Sequence, residues 1–291
     1  MLLFLRHAFG AQYYIGTFAD SKFTPEKHGQ MNWPGGSFFA PEQLVDARGR
    51  NIIWGWVVDR EANLGRASGL GPPGSKDYGW NGVMSLPRVV SLDSAGELQI
   101  NPAEELQTLR LNEVAESDIV LRPHQEMTLR ASGKSMELQL EFAGGSRYPF
   151  GVKVFASPDG REATIIRYEP DQEQLVIDVL KSSMRGPTSL PAFNAEEYDV
   201  SKPFFEQVLK RFTKRVSEQK APLKLQKGEP LKLDIFLDRS IIEVFANGRQ
   251  AVTQVVYPEL ETSVGVRLFS DGEAIAVRNI QSWTMAETNP Y

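Results

Sequence analysis

Residues Ser37 to Asp59 read SFFAPEQLVDARGRNIIWGWVVD, and this stretch decides the fold. Two apolar bursts flank a polar Asp-Ala-Arg-Gly turn, which is the pattern of a β-hairpin. Glu42 lies in the first burst, the one carboxylate of the N-terminal third embedded among aromatics and a proline. Trp54 and Trp56 alternate with Gly55 and so share one face of their strand, while Phe38 and Phe39 face opposite ways.

Working outward, the segments on either side also read as strands. Leu2–Arg6, Gln12–Phe18, Phe38–Leu44 and Asn51–Val58 are short β-branched and aromatic runs bounded by turn residues. The apolar opening MLLFLRHAFG has no basic leader region and no small-residue cleavage site, so it reads as a strand and suggests that something preceded it. Residues 60–80 are rich in glycine and proline and predict a long loop. VMSLPRVVSL and ELQINP then pair around an Asp-Ser-Ala-Gly turn. PAEELQTLRLNEVAES is either one helical turn or an extended connector. Charge rises and periodicity changes near Leu109–Glu116, which divides the chain into domains 1–112 and 113–291.

The second domain is more regular. SMELQLEF, YPFGVKVFAS, EATIIRYEP, EQLVIDVL, LKLDIFLD, IIEVFANG, QAVTQVVYP, SVGVRLFS and AIAVRNIQSW are short strands, nearly all separated by turn signals, and together they predict a two-sheet sandwich. Asn247–Gly248 is a hairpin turn, because both residues tolerate positive φ. The exception is 196–220, where Phe205, Val208, Leu209, Phe212 and Val216 recur at helical spacing behind Pro203. An amphipathic helix and a solvated insertion both fit. Asp238, Arg239, Ser240 and Glu243 form a polar cluster. Asp238–Ser240 reads as a turn, Arg239 as paired to a neighbouring carboxylate, and Glu243 as pointing away from the apolar face of Ile242 and Val244.

Composition narrows the function. A chain of 291 residues, 41% hydrophobic and 24% charged, has ample length for one large core or two modest ones. A net charge of −5 with scattered basic residues argues against nucleic acid as a partner. With no cysteine and three isolated histidines, His7, His28 and His124, neither disulfides nor a zinc site is expected, and no cofactor is called for. No stretch approaches the ~20 apolar residues of a membrane-spanning helix, so no membrane partner is expected.

The hairpin FFAPEQLVDARGRNIIWGW, the later WNGVMSLPRVVSL with ELQINPAEELQTLR, and FLDRSIIEVFANGRQAVTQVVYP together resemble the back half of glycoside hydrolase family 32, the invertase, levanase and inulinase group. The resemblance covers nearly the whole chain. It implies an all-β fold, with about two blades of a five-bladed β-propeller followed by a β-sandwich. It also implies a family reaction, the retaining hydrolysis of fructosyl bonds, which takes two carboxyl groups roughly 5 Å apart. The family's Trp-Met-Asn-Asp-Pro-Asn-Gly-like, Arg-Asp-Pro and Glu-Cys-Pro-like segments are all absent here.

On this reading the chain has no catalytic residues of its own. The resemblance makes Glu42 a pocket-lining contact for sugar hydroxyls, with Phe39 and Trp80 beside it, although Asn32, Trp33 and Pro34 stand where the family carries an aspartate. A solvated strand carboxylate is the plain alternative for Glu42, and core packing is the plain alternative for Trp54, Trp56 and Trp80. The chain is therefore expected to be a truncated β-fructosidase homologue, inactive in isolation. The alternatives are a noncatalytic carbohydrate-binding or assembly module, or an enzyme completed in trans. The expected partners are a fructose-containing oligo- or polysaccharide and a second copy or companion chain covering exposed propeller edges. The sequence leaves localisation open.

Overall fold

Strand after strand is laid down by period-2 patterning and joined by turns that only certain residues can make. The computed structural model describes residues 2–6 (backbone only), 11–58, 82–191, 201 and 215–288. The first sheet is antiparallel, in the order β1 (Leu2–Arg6), β2 (Gln12–Ala19), β3 (Lys22–Gln30). The polar sequence of β3, KFTPEKHGQ, carries no strand signal of its own. It is formed by the preceding turn, in which Asp20 and Ser21 both adopt positive φ (50° and 59°), the geometry that folds a tight hairpin.

The second sheet contains the Ser37–Asp59 hairpin. Its strands are β4 (Phe38–Val45), β5 (Asn51–Val57), β6 (Val83–Met84), β7 (Arg88–Leu92) and β8 (Leu98–Pro102), in the order β4-β5-β7-β8 with β6 beside β5. The expected single run over VMSLPRVVSL is therefore two strands, interrupted at Ser85–Pro87. Along β5, Ile53 and Val57 are fully buried and Gly55 lies between them. A Cβ at Gly55 would stand 2.3 Å from the Phe38 ring, so this residue must be glycine for the ring to pack. The long loop expected at 60–80 lies outside the described residues. The two sheets are blades of a partial propeller.

The 102–117 stretch uses both of its expected forms: a 3-10 turn at Glu104–Leu109 and then β9 (Arg110–Glu116), which pairs into the sandwich. The sandwich continues with β10 (Ile119–Leu121), β11 (Glu126–Ser132), β12 (Ser135–Phe142), β13 (Phe150–Ala156), β14 (Thr164–Glu169) and β15 (Gln174–Asp178). A two-stranded ribbon, β16 (Leu190–Pro191) with β17 (Arg215–Val216), precedes β18 (Glu218–Pro222). The remaining strands are β19 (Leu231–Asp238), β20 (Ile241–Ala246), β21 (Gln250–Val255), β22 (Gly265–Ser270) and β23 (Ile275–Met285). The end of the 196–220 stretch is thus extended rather than helical, while its helical-period residues 205–212 lie outside the described residues.

Seven strands form one layer, β10-β23-β12-β19-β20-β21 with β9 on β23, and six form the other, β11-β22-β13-β14-β15-β18. Leu138, Phe142, Ile235 and Val244 from the first layer meet Val152, Ile166, Ile177 and Leu268 from the second, all at 0% exposure. Each such side chain contributes roughly 1.5–3 kcal/mol by leaving water. Glu162 is also fully buried. Its carboxylate accepts the backbone N–H groups of Glu259 (2.8 Å) and Leu260 (3.0 Å), which pins the loop before β22 to the sheet edge.

Blade and sandwich share a second core. Phe38, Ile53, Val90 and Ile100 meet Ile15 and Met31 of the first blade and Phe236, Phe245 and Ala251 of the sandwich. Arg88, 0% exposed, reaches through this core to Glu243, with Nη2 to Oε2 at 2.7 Å, and also donates to Thr253. The Arg88 guanidinium lies 4.0 Å from the centroid of the Phe38 ring. Glu243 Oε1 accepts the Leu86 N–H at 2.6 Å. Glu243 does point away from Ile242 and Val244, as its alternation requires, but into this interface rather than into solvent. Arg239, expected to pair with a carboxylate, makes no ion pair among the described residues and instead forms the turn, at φ 55°. The Asn247–Gly248 tip, at φ 51° and 63°, docks on β8 through Ile100 N–H to Gly248 O at 2.6 Å.

Strand β4 contains a bulge. Phe39 lies opposite Trp56 and Glu42 opposite Trp54, so Ala40 and Pro41 together face the single residue Gly55. Ala40 adopts φ 43° to make the bulge, and Pro41, which has no N–H, needs no ladder partner there.

Two stability outcomes follow from this geometry. Glu243→Ala should cost about 3–5 kcal/mol in urea unfolding because it strands the buried Arg88 charge, and the double change Arg88→Met with Glu243→Leu should recover most of that loss. Ala40→Gly should gain about 0.5–1 kcal/mol in the same assay by relieving the left-handed conformation of a residue with a Cβ.

Candidate functional site

Phe39 and Glu42 are three apart in sequence and in an unbroken strand would project to opposite faces. The bulge shifts the count by one. Cross-strand partners share a face, so Phe39 with Trp56 and Glu42 with Trp54 all lie on one side of the β4–β5 ribbon. Phe39 meets the Trp56 ring edge-on, with centroids 6.2 Å apart and planes inclined by 63°. Glu42 is exposed, and Trp54 across from it is half-buried. Gly82 supports Trp56 from behind, at φ 103°, where a Cβ would stand 2.3 Å from the indole nitrogen.

The surface so formed has three aromatic rings and one carboxylate. Aromatic faces stack on the C–H faces of sugars, and a carboxylate accepts hydrogen bonds from neighbouring hydroxyls. The structure thus brings together two of the three residues named from the sequence, Phe39 and Glu42. The third, Trp80, lies outside the described residues. Trp54 joins them through the bulge, which no alternation count would have revealed. The visible signal was Ala-Pro within an otherwise regular strand, since proline inside a strand marks an edge or a bulge.

The strand bearing this surface is held from behind by the sandwich. Ser37 donates its N–H to Thr253 O at 3.1 Å, its hydroxyl accepts the Val255 N–H at 3.2 Å, and Asn32 Oδ1 accepts the Phe38 N–H at 3.2 Å. Asn32, which occupies the region where an aspartate was expected, is 5% exposed and bonds to the backbone of Gly36 and Phe38. Trp33, beside it, packs against the sandwich core.

A separate pocket of about 620 Å³ opens where both blades meet the sandwich, lined by Gln12, Tyr13, His28, Trp33, Lys220 and Arg249 among others. Burial, followed by the nearby Glu97 charge, pushes the Tyr13 hydroxyl above its ordinary range. His28 stacks flat on Tyr14, with centroids 4.4 Å apart. Among the described residues no group of three histidine, cysteine, aspartate or glutamate side chains is placed to hold a metal.

Comparison with known proteins fits this architecture. The description "Glycosyl hydrolases family 32 N-terminal domain" matches residues 3–102, and "Glycosyl hydrolases family 32 C terminal" matches residues 105–284. Fructan 1-exohydrolase w2 of Triticum aestivum is 26% identical over 293 residues, an alignment that covers 86% of this chain and 44% of that protein. Sucrose-6-phosphate hydrolase of Zymomonas mobilis is 24% identical over 292 residues, covering 98% of this chain and 48% of its own length. The chain therefore spans about half the length of the curated relatives it matches. Among solved structures, fructan 1-exohydrolase IIa from Cichorium intybus superposes with a TM-score of 0.73 at 20% identity, covering 96% of this chain and 55% of that one. Exo-inulinase from Aspergillus awamori superposes at 0.67 and 21% identity, covering 95% and 50%. With matching descriptions along nearly its whole length, and with blades and sandwich in that order, this chain belongs to glycosyl hydrolase family 32.

Proposed function

We propose that this chain supplies the sugar-contacting rear wall and the sandwich of a β-fructosidase-type hydrolase, and that its residues alone do not perform the hydrolysis. Retaining cleavage takes a nucleophilic carboxylate and a second carboxyl as proton donor. The sequence has neither family segment, and the aromatic face of β4 and β5 carries the single carboxylate Glu42. That observation carries the reading: one acid beside aromatic rings suits holding a sugar, not breaking its glycosidic bond. Glu42 accepts hydrogen bonds from sugar hydroxyls, Phe39 and Trp54 supply apolar contact, and the family resemblance alone adds Trp80 as a further sugar contact. The ligand is a fructose-containing oligo- or polysaccharide.

A companion chain or a second copy is the natural complement. Strand β4 is an edge of its sheet among the described residues, and Leu44 and Val45 on it are 44% and 63% exposed. Unpaired strand edges with apolar side chains favour association. A noncatalytic binding module is the second reading, and it makes the same use of Glu42 without any need for completion.

The purified chain is expected to release no fructose from sucrose, inulin or levan, and turnover at rates ordinary for a glycosidase would overturn the proposal. Calorimetric titration with 1-kestose is expected to show binding that Glu42→Gln weakens about tenfold, the size of a lost hydrogen bond to a charged group. Unchanged affinity in that variant would remove Glu42 from the site.

A further inference from the structure

A second cluster of ionisable groups lies in the joint between blade and sandwich, on the outer face of the seven-stranded layer. Glu137 on β12 is 1% exposed. Arg110, the first residue after the 3-10 turn that links the domains, clasps it with Nε to Oε2 at 2.7 Å and a second bond from Nη2 to Oε1. The same guanidinium lies 4.0 Å from the ring centroid of Trp283. Asp234 stands on the neighbouring strand β19 directly opposite Gln139, and so diagonally across from Glu137 on the same face. Gln139 Nε2 donates to Glu137 Oε1 at 3.0 Å and to Asp234 Oδ2 at 3.2 Å, so one carboxamide nitrogen touches both carboxyls. Asp234 Oδ1 is buried and has no partner. Two acids therefore share one arginine.

Among the described residues, the surrounding elements do not supply a second buried cation. Strand β9 adds Glu113, β12 adds Glu141, and Lys232 on β19 is 63% exposed and 4.0 Å from Glu141. Phe245 on β20, with Asn279 and Gln281 on β23, presents only neutral groups. From the blade come Gln99, Asn101 and Pro102 of β8, and from the docked hairpin tip Asn247 and Gly248. These residues close over the Asp234 side of the cluster and leave a groove of about 550 Å³.

We propose that Glu137 and Asp234 hold one proton between them, and that this shared proton keeps the blade and the sandwich seated against each other. With the proton in place, the Asp234 O–H donates to Glu137, and one negative charge faces the one positive charge of Arg110. Once it leaves, two carboxylates compete for a single guanidinium beside the groove, and their repulsion falls on the strands and the linker residue that make the joint. Burial first, then the Glu137 charge and its hydrogen bond, push the Asp234 carboxyl up to about 8. The unfolded chain loses this proton near pH 4 while the folded chain keeps it, so stability falls as pH rises from about 4 to 8 and then levels off.

The test combines a titration with two variants of the full chain. In protein labelled with ¹³C at aspartate carboxyls, the Asp234 resonance is expected to titrate near pH 8, and Glu137→Gln is expected to move that midpoint down by two units or more. The melting temperature of the unaltered chain should drop by roughly 5 °C more than that of Asp234→Asn between pH 6 and pH 8. Hydrogen exchange at residues 98–102 and 245–250, compared between the two proteins at pH 9, should be at least tenfold faster in the unaltered chain. A midpoint below pH 5 would overturn the shared proton, and this reading needs no variant to fold. A normal midpoint shift with equal exchange in both proteins would leave the proton shared but sink its role in the joint.

Discussion

Arg88 and Glu243 form the contact on which the rest of the arrangement depends. Each charge is deeply buried, and neither would be tolerated there alone, because removing an ion from water costs several kcal/mol unless its partner and hydrogen bonds are supplied. The blade brings the cation, the sandwich brings the anion, and the aromatic rings of Phe38 and Phe245 enclose the pair. Neither domain can bury its own half without the other. The interface is thus set by a requirement for charge balance, and the apolar contacts of Ile53, Val90, Phe236 and Ala251 fill the space around it.

This anchoring reaches the candidate sugar-binding face directly. Phe38, pressed under Arg88, and Phe39, which faces the opposite way beside Trp56, are consecutive residues of one strand. The position of one therefore fixes the other within the reach of a single peptide unit. Ser37 ties the same strand to β21 through two hydrogen bonds. The sandwich thus holds the strand that bears Phe39 and Glu42, and the bulge at Ala40–Pro41 then turns Glu42 to the aromatic side. Rigid backing and local irregularity act in succession along six residues.

Much of this was legible from residue patterns. Strands β12–β15 and β19–β23 lie on the runs read from the sequence, while β16–β18 do not, and the Asn247–Gly248 turn followed from its tolerance of positive φ. The β4–β5 hairpin was visible from its two apolar bursts. What escaped notice has common physical causes. Strand β3 carries no apolar alternation because most of its side chains are exposed, and it is held by its turn and its partner β2. Strand β9 follows the extended reading of its stretch, but its pairing, with a strand some 165 residues later, has no local signal. Glu243 reads as pointing away from the apolar face of Ile242 and Val244, and nothing local singles out Arg88. Their pairing is a tertiary fact, since no local pattern says that two oppositely charged residues 155 positions apart will meet. The hint was present all the same: a charge at an inward position of a buried strand needs a partner somewhere.

The interface contains a second charged group, and its charge balance contrasts with that of the first. Arg88 and Glu243 are matched one to one and enclosed by rings, so no proton is needed to balance them. Arg110, Glu137 and Asp234 sit on the same sheet face, but there, among the described residues, a single cation answers two acids; buried atoms without a partner occur in both groups, Nε and Nη1 of Arg88 and Oδ1 of Asp234. A balanced pair is indifferent to pH across the range where neither member titrates. An unbalanced triad is neutralised only by binding a proton, so its contribution depends on the solution. The first group specifies where the domains meet, and the second sets how firmly they stay together under given conditions. Arg110 gives the second group its leverage, because that residue is also the first of the sandwich strands, directly behind the 3-10 turn that leaves the blade. Any displacement of its side chain is transmitted to the connection between the two domains.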